Sequence, residues 1–188
     1  DGLRHGFTAG IDVSRLSGHR WFANYKSAEE GRGPVTQAIM KRVSGGKTLA
    51  LGTWSHTLAE GIKRLFGASA IFPMGAVKKA LEAGELRPTD DHSRTGLNAA
   101  TSLEGLRHSL NAYSEISWFL QLDHFMRVSD VEGAFTLLPL HPDVWPFFLF
   151  RFFADTAVDA MLELFCHVCG DFGAAGMPGT FHRFFTCV

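Results

Sequence analysis

Cysteine is scarce in this chain, three in 188 residues, and an odd number does not make a disulfide framework; a reducing, intracellular compartment is the expectation. Long apolar runs are missing too. The richest stretch, 144–153, carries Pro146 and Arg151 and falls short of the roughly 18 residues that a membrane span needs, so no membrane partner is expected. The opening Asp1-Gly2-Leu3-Arg4-His5 lacks the character of a signal peptide. Repeats, low-complexity tracts and an evident linker are absent as well, which argues against a solenoid or two separated domains. Net charge is small, −1, and excludes nothing by itself.

What is present is an ordinary globular balance, 46% hydrophobic and 20% charged, in a chain long enough for an ample core. The small net charge hides an asymmetry. Residues 1–100 carry 14 Lys+Arg and 9 Asp+Glu, whereas 101–188 carry 4 and 10. A basic half able to touch phosphates beside an acidic half able to hold cations suits nucleic-acid chemistry.

Periodicity gives a coarse map. Pro34 opens a helix over 35–43, with Val35, Ile39 and Val43 four apart, and Ser44-Gly45-Gly46 closes it. A second helix is expected over 57–66, with Leu58, Ile62, Leu65 and Phe66 on one face. The stretch 69–77 reads as extended, interrupted at Pro73 and Gly75. After a turn at 78–84 the chain returns as a strand over 86–91, forming a hairpin. A helix is expected over 102–112, strands over 118–122 and 125–131, and a strand pair over 147–153 and 161–168. The glycine-rich stretch 170–179 is a loop into a helix over 180–187. The division is a lead-in and fingers-like region over 1–112 and a partial palm-like region over 113–188.

Three segments carry chemistry. Asp130-Val-Glu-Gly-Ala134-Phe135, followed by Leu138-Pro139-Leu140, resembles the first catalytic motif of reverse transcriptases, Asp-x-x-x-Ala-Phe with a Leu-Pro-Leu exit. Asp171-Phe172-Gly173-Ala174-Ala175-Gly176-Met177-Pro178-Gly179-Thr180-Phe181 is similar to their motif Pro-Phe-Gly-Leu-x-x-Ala-Pro-x-x-Phe. Phe172, Gly173, Pro178 and Phe181 match; Asp171, Ala174 and Met177 stand where the family has proline, leucine and alanine. Val77-Lys78-Lys79, then Arg87 with Asp91, Ser93 and Asn98, resembles the fingers hairpin. Residues 2–7 and 27–34 resemble the lead-in of polymerases from tyrosine-recombinase-bearing retrotransposons, so the likeness runs along nearly the whole chain in order.

The resemblance implies an α+β fold of polymerase fingers and palm, an antiparallel sheet packed on helices. It implies an RNA-directed DNA polymerase working by two-metal nucleotidyl transfer. Asp130, with the Val131 carbonyl, would hold Mg2+, which takes oxygen ligands. Phe135 would lie under the incoming sugar and exclude a 2′-hydroxyl. Lys78, Lys79 and Arg87 would meet the triphosphate, where fixed cations offset charge built up in the transition state. Phe172, Gly173 and Pro178 would form the template-side loop, small residues letting backbone approach the nascent pair. Asp91 would be structural, and Thr89-Asp90-Asp91 belongs to the fingers rather than to the two-aspartate signature. The implied partners are an RNA or DNA template–primer and deoxynucleoside triphosphates. The two-aspartate hairpin that supplies further metal carboxylates does not occur up to Val188, so the expectation is a fragment with no polymerase activity alone.

Two other readings stand beside this one. The same fold could persist as a catalytically inactive relic that binds nucleic acid or protein. Cys166-x2-Cys169-x12-His182-x4-Cys187 has near zinc-finger spacing, although Gly173, Gly176, Pro178 and Gly179 interrupt the helix a finger needs, and strand thiols are the simpler expectation. His56, His108 and His124 have no partners at diagnostic spacing.

Overall fold

The structure, a computed structural model, describes residues 2–78, 85–106, 131–157 and 159–186. Its centre is a sheet in the order β1-β3-β6-β7-β2. The strands are β1 (Gly18–Trp21), β2 (Thr48–Thr53), β3 (Ala68–Ile71), β6 (Leu149–Phe153) and β7 (Leu162–His167). The fold is α+β, as expected, but the sheet is mixed. β1 and β6 both run parallel to β3, while β6–β7 and β7–β2 are antiparallel. The parallel half arises because β1 and β3 are separated by a helical crossover, the connection that parallel neighbours require.

Side-chain alternation gives the sheet two apolar faces. Phe150, Phe152 and Phe165 fall on one face, where helix α3 (Arg32–Ser44) lays Val35, Ile39 and Val43 against them. Pro34 sits in the first turn of α3, where its missing N–H costs nothing. Leu149, Leu164 and Cys166 fall on the other face and meet Ile62 of α4 (His56–Leu65). Ser55 caps α4, its hydroxyl accepting the Leu58 N–H. Leu65 is not part of that face: it is 78% exposed, and Ala59 is buried beside Ile62 instead. A further cluster unites Ile11, Leu97, Leu140, Phe148 and Met177 under the N-terminal segment and α6 (Met177–Thr186).

The extended stretch 69–77 is two strands in two sheets. β3 ends at Ile71, the chain turns at Phe72-Pro73, and β4 (Met74–Lys78) pairs antiparallel with β5 (Leu86–Asp90) as a separate hairpin. Pro73, with no N–H to give a ladder, marks the break; Gly75 lies inside β4. Short helices precede and follow: α1 (Gly2–His5), α2 (Lys26–Glu30) and α5 (His92–Thr95). The helix expected from residue 102 is a turn over 104–106, and 107–112 lie outside the described residues. The strand expected over 118–122, and residues 125–130 of the one expected over 125–131, lie outside them too, and α6 begins three residues earlier than expected, at Met177. Among the described residues no helix is long and apolar enough to cross a membrane.

Candidate functional site: the Phe172 platform and the buried cluster beneath it

The hairpin supplies a cation. Val77 pairs with Arg87 and Lys78 with Leu86, so alternation puts Arg87 in the outward row with Val77 and Thr89. Lys78 falls in the opposite row, with Met74, Ala76 and Leu86. Arg87 is exposed, and its guanidinium lies 5.8 Å from the Phe172 ring centroid. The hairpin thus brings Arg87, but not Lys78, to Phe172; Lys79 is outside the described residues.

The glycine loop supplies an aromatic platform. Phe172 is 59% exposed, an unusual position for phenylalanine. The Phe135 ring meets it at 4.8 Å and Phe181 of α6 meets Phe135 edge-on at 5.9 Å. Phe135 belongs to a 3-10 turn, Ala134–Leu137, that follows Gly133 in the left-handed region at φ 63°. Three segments distant in sequence therefore meet at Phe172. Val131 is 39% exposed at the entry to this turn, and Asp130 lies outside the described residues. The described part of the expected Mg2+ site is thus Val131 alone.

The loop is held from within. Asp171 Oδ1 accepts the N–H groups of Gly173 and Ala174 at 2.9 and 3.0 Å. Asn98 donates to the Gly173 carbonyl at 3.0 Å and accepts the Ala175 N–H at 2.9 Å. The glycines are demanded by the chain's own backbone. A Cβ at Gly173 would stand 2.0 Å from the Asp90 carbonyl oxygen, and one at Gly176 would stand 1.7 Å from that of Ala9. The small residues of this loop therefore serve internal packing at these two positions. Pro178, half-buried, occupies the first turn of α6.

Beneath the loop is a buried polar cluster that the sequence reading did not find. Asp90 points into the core at the end of β5, and its Oδ2 lies 3.4 Å from Arg42 Nη1 and 3.7 Å from His167 Nε2. Arg42 Nη1 is 3.2 Å from His167 Nε2, and His167 Nδ1 is 2.7 Å from Thr48 Oγ1. Arginine only donates, so Nε2 is the acceptor and Nδ1–H donates to Thr48. His92 Nε2 pairs with Asp171 Oδ2 at 2.7 Å, both residues essentially without exposure. Burial alone would raise the Asp90 carboxyl, but the Arg42 guanidinium beside it, with His92 beyond, outweighs burial and holds it far below the usual range. Burial likewise opposes charge on His92, and the Asp171 carboxylate reverses that, raising its pKa. Phe72 and Phe148 pack on His92, and Phe72 and Phe150 on His167. Asp91 is structural: it caps α5 through the Arg94 N–H and accepts the Tyr25 hydroxyl at 2.6 Å. No signal of period or spacing could have joined Asp90, His167 and Asp171; Asp171 in place of proline was the one visible oddity.

The cysteine set does not read as a zinc centre. Cys166 lies in the apolar cluster on β7, its thiol pushed up to about 12 by burial, and among the described residues neither it nor Cys169 nor His182 belongs to a group spaced to share a metal ion. Burial raises Cys169 as well. Among the described residues, the group spaced to share a metal ion is Asp90, His167 and Asp171; Cys187 lies outside them.

In comparisons with protein-family models and with curated proteins, nothing matches this chain.

Proposed function

We propose that this chain is the fingers and first palm segment of an RNA-directed DNA polymerase of the retrotransposon type. One observation carries the reading. Arg87, Phe172 and Phe135, each from a different motif of the resemblance, meet in one partly exposed array, with ring and guanidinium separations of 4.8 and 5.8 Å. Asn98 of the fingers motif also clasps the backbone of the glycine loop. Motifs that act on one nucleotide have to converge in this way, whereas chance matches have no reason to. In this reading Arg87 offsets phosphate charge, Phe135 bears on the sugar, and the loop from Phe172 to Pro178 lines the template side. Asp130, with the Val131 carbonyl, would hold Mg2+, which supplies the Lewis acid for phosphoryl transfer.

The test is a salt titration of affinity for a primer–template. Phosphate contacts release counterions, so binding should fall steeply with salt and be indifferent to sequence. Replacing Arg87 by alanine should flatten the log–log slope by about one unit, and neutralising Lys79 and Arg87 together by up to about two units. Equal slopes in wild type and variants would make these residues ordinary solvated charges and overturn the reading.

A further inference from the structure

We propose that Asp90, His167 and Asp171 form a buried site for a divalent transition-metal ion of the zinc class, independent of the polymerase reading and of its Mg2+. The three residues each offer a ligand atom, all within 4.8 Å of one another, and all three are buried. Zinc bound at about 2.0–2.2 Å from nitrogen and oxygen spaces its tetrahedral ligands roughly 3.5 Å apart, so shifts of about an ångström would close the site.

Two features point to a ligand rather than to a closed salt bridge. Asp90 is 8% exposed, and its Oδ1 is buried with no hydrogen-bond partner. A buried carboxylate oxygen left without a partner is costly and uncommon, and a cation held by both oxygens of the Asp90 carboxylate would satisfy it. The imidazole is also prepared. Thr48 takes the Nδ1–H of His167 at 2.7 Å, which fixes the tautomer and aims the Nε2 lone pair at the Asp90 carboxylate. Metal-bound histidines are oriented this way by a partner on the far nitrogen. His92 does the same for Asp171 at 2.7 Å.

Arg42 is the competitor. Its Nη1 bridges Asp90 and His167 at long separations, 3.4 and 3.2 Å, and its side chain is 20% exposed, so it borders solvent. The guanidinium stands in for the metal's charge and can swing outward when an ion enters. A nitrogen ligand in a dry pocket selects against Mg2+, which keeps its waters, and for zinc, cobalt or nickel.

The experiment is a Co2+ and Zn2+ titration of the full chain, read by visible absorption and calorimetry. Saturable one-to-one binding is expected, with Co2+ ligand-field bands and no sulfur-to-metal charge transfer. Arg42→Gln should bind at least tenfold more tightly, a gain that misfolding cannot mimic; His167→Ala should bind at least tenfold less tightly. No saturable binding, an unchanged affinity in Arg42→Gln, or a thiolate charge-transfer band that moves the site to Cys166 and Cys169 would each overturn the assignment.

Discussion

At the scale of single residues, Asp171 does the most that its side chain allows. One oxygen serves two backbone N–H groups of the loop and the other meets His92 in the core. Removing one partner of a buried charged pair strands the other, at a typical cost of 3–5 kcal/mol. Asp171→Ala should therefore lower stability by about 3 kcal/mol or more in denaturant unfolding. A loss under ~1 kcal/mol would show that the pair is not closed. Cys166 gives a second residue-scale prediction. Its thiol titrates at about 12 when folded, against 9.0 as the ordinary value. The folded pKa is the higher one, so this stabilising contribution is complete below pH 9 and is lost as pH rises from 9 toward 12. At pH 8 Cys166 should resist a small alkylating reagent until the chain unfolds, as peptide mapping would reveal; prompt modification of the native protein contradicts the burial.

At the scale of elements, the loop between β7 and α6 is fixed by close backbone approach. Gly173→Ala would drive a methyl group into the Asp90 carbonyl, backbone that cannot give as a side-chain tip can. A loss of about 3 kcal/mol is expected by analogy with overpacked cores. Gly61 is the control: it lies in α4 with nothing within 4 Å of a Cβ, so Gly61→Ala should raise stability by about 0.5–1 kcal/mol. Equal effects at the two sites in thermal unfolding would remove the packing explanation for the loop. Elements buried on one regular face were legible in the sequence. Val35, Ile39 and Val43 announce α3, and Pro73 and the 86–91 run announce the hairpin. β1 and β2 were not legible. β2 is an edge strand with only Thr48 buried and a bulge between Ala50 and Gly52, so no alternating pattern was imposed on it. β1 likewise has no buried residue.

At the scale of the whole molecule, the surface and the core carry two distinct sets of functional candidates. Arg87, Phe172 and Phe135 were named from motifs because each motif is local in sequence. Their mutual contact is a tertiary fact that spacing along the chain cannot reveal. The Asp90, His167 and Asp171 cluster was invisible for the same reason, since β5, β7 and the loop meet only after the sheet and hairpin have formed. Lys78 belongs to the same motif as Arg87, yet strand alternation puts it in the other row of the hairpin.

The measurement that bears most directly on the polymerase reading is photocrosslinking of a deoxynucleoside triphosphate analogue to the chain with primer–template and Mg2+ present, mapped by mass spectrometry. Template-dependent crosslinks to hairpin residues around Arg87 and to the Phe172 loop are expected, reduced severalfold in Arg87→Ala. Crosslinks confined to other surfaces, or equally strong without template and with Arg87→Ala, would contradict that reading.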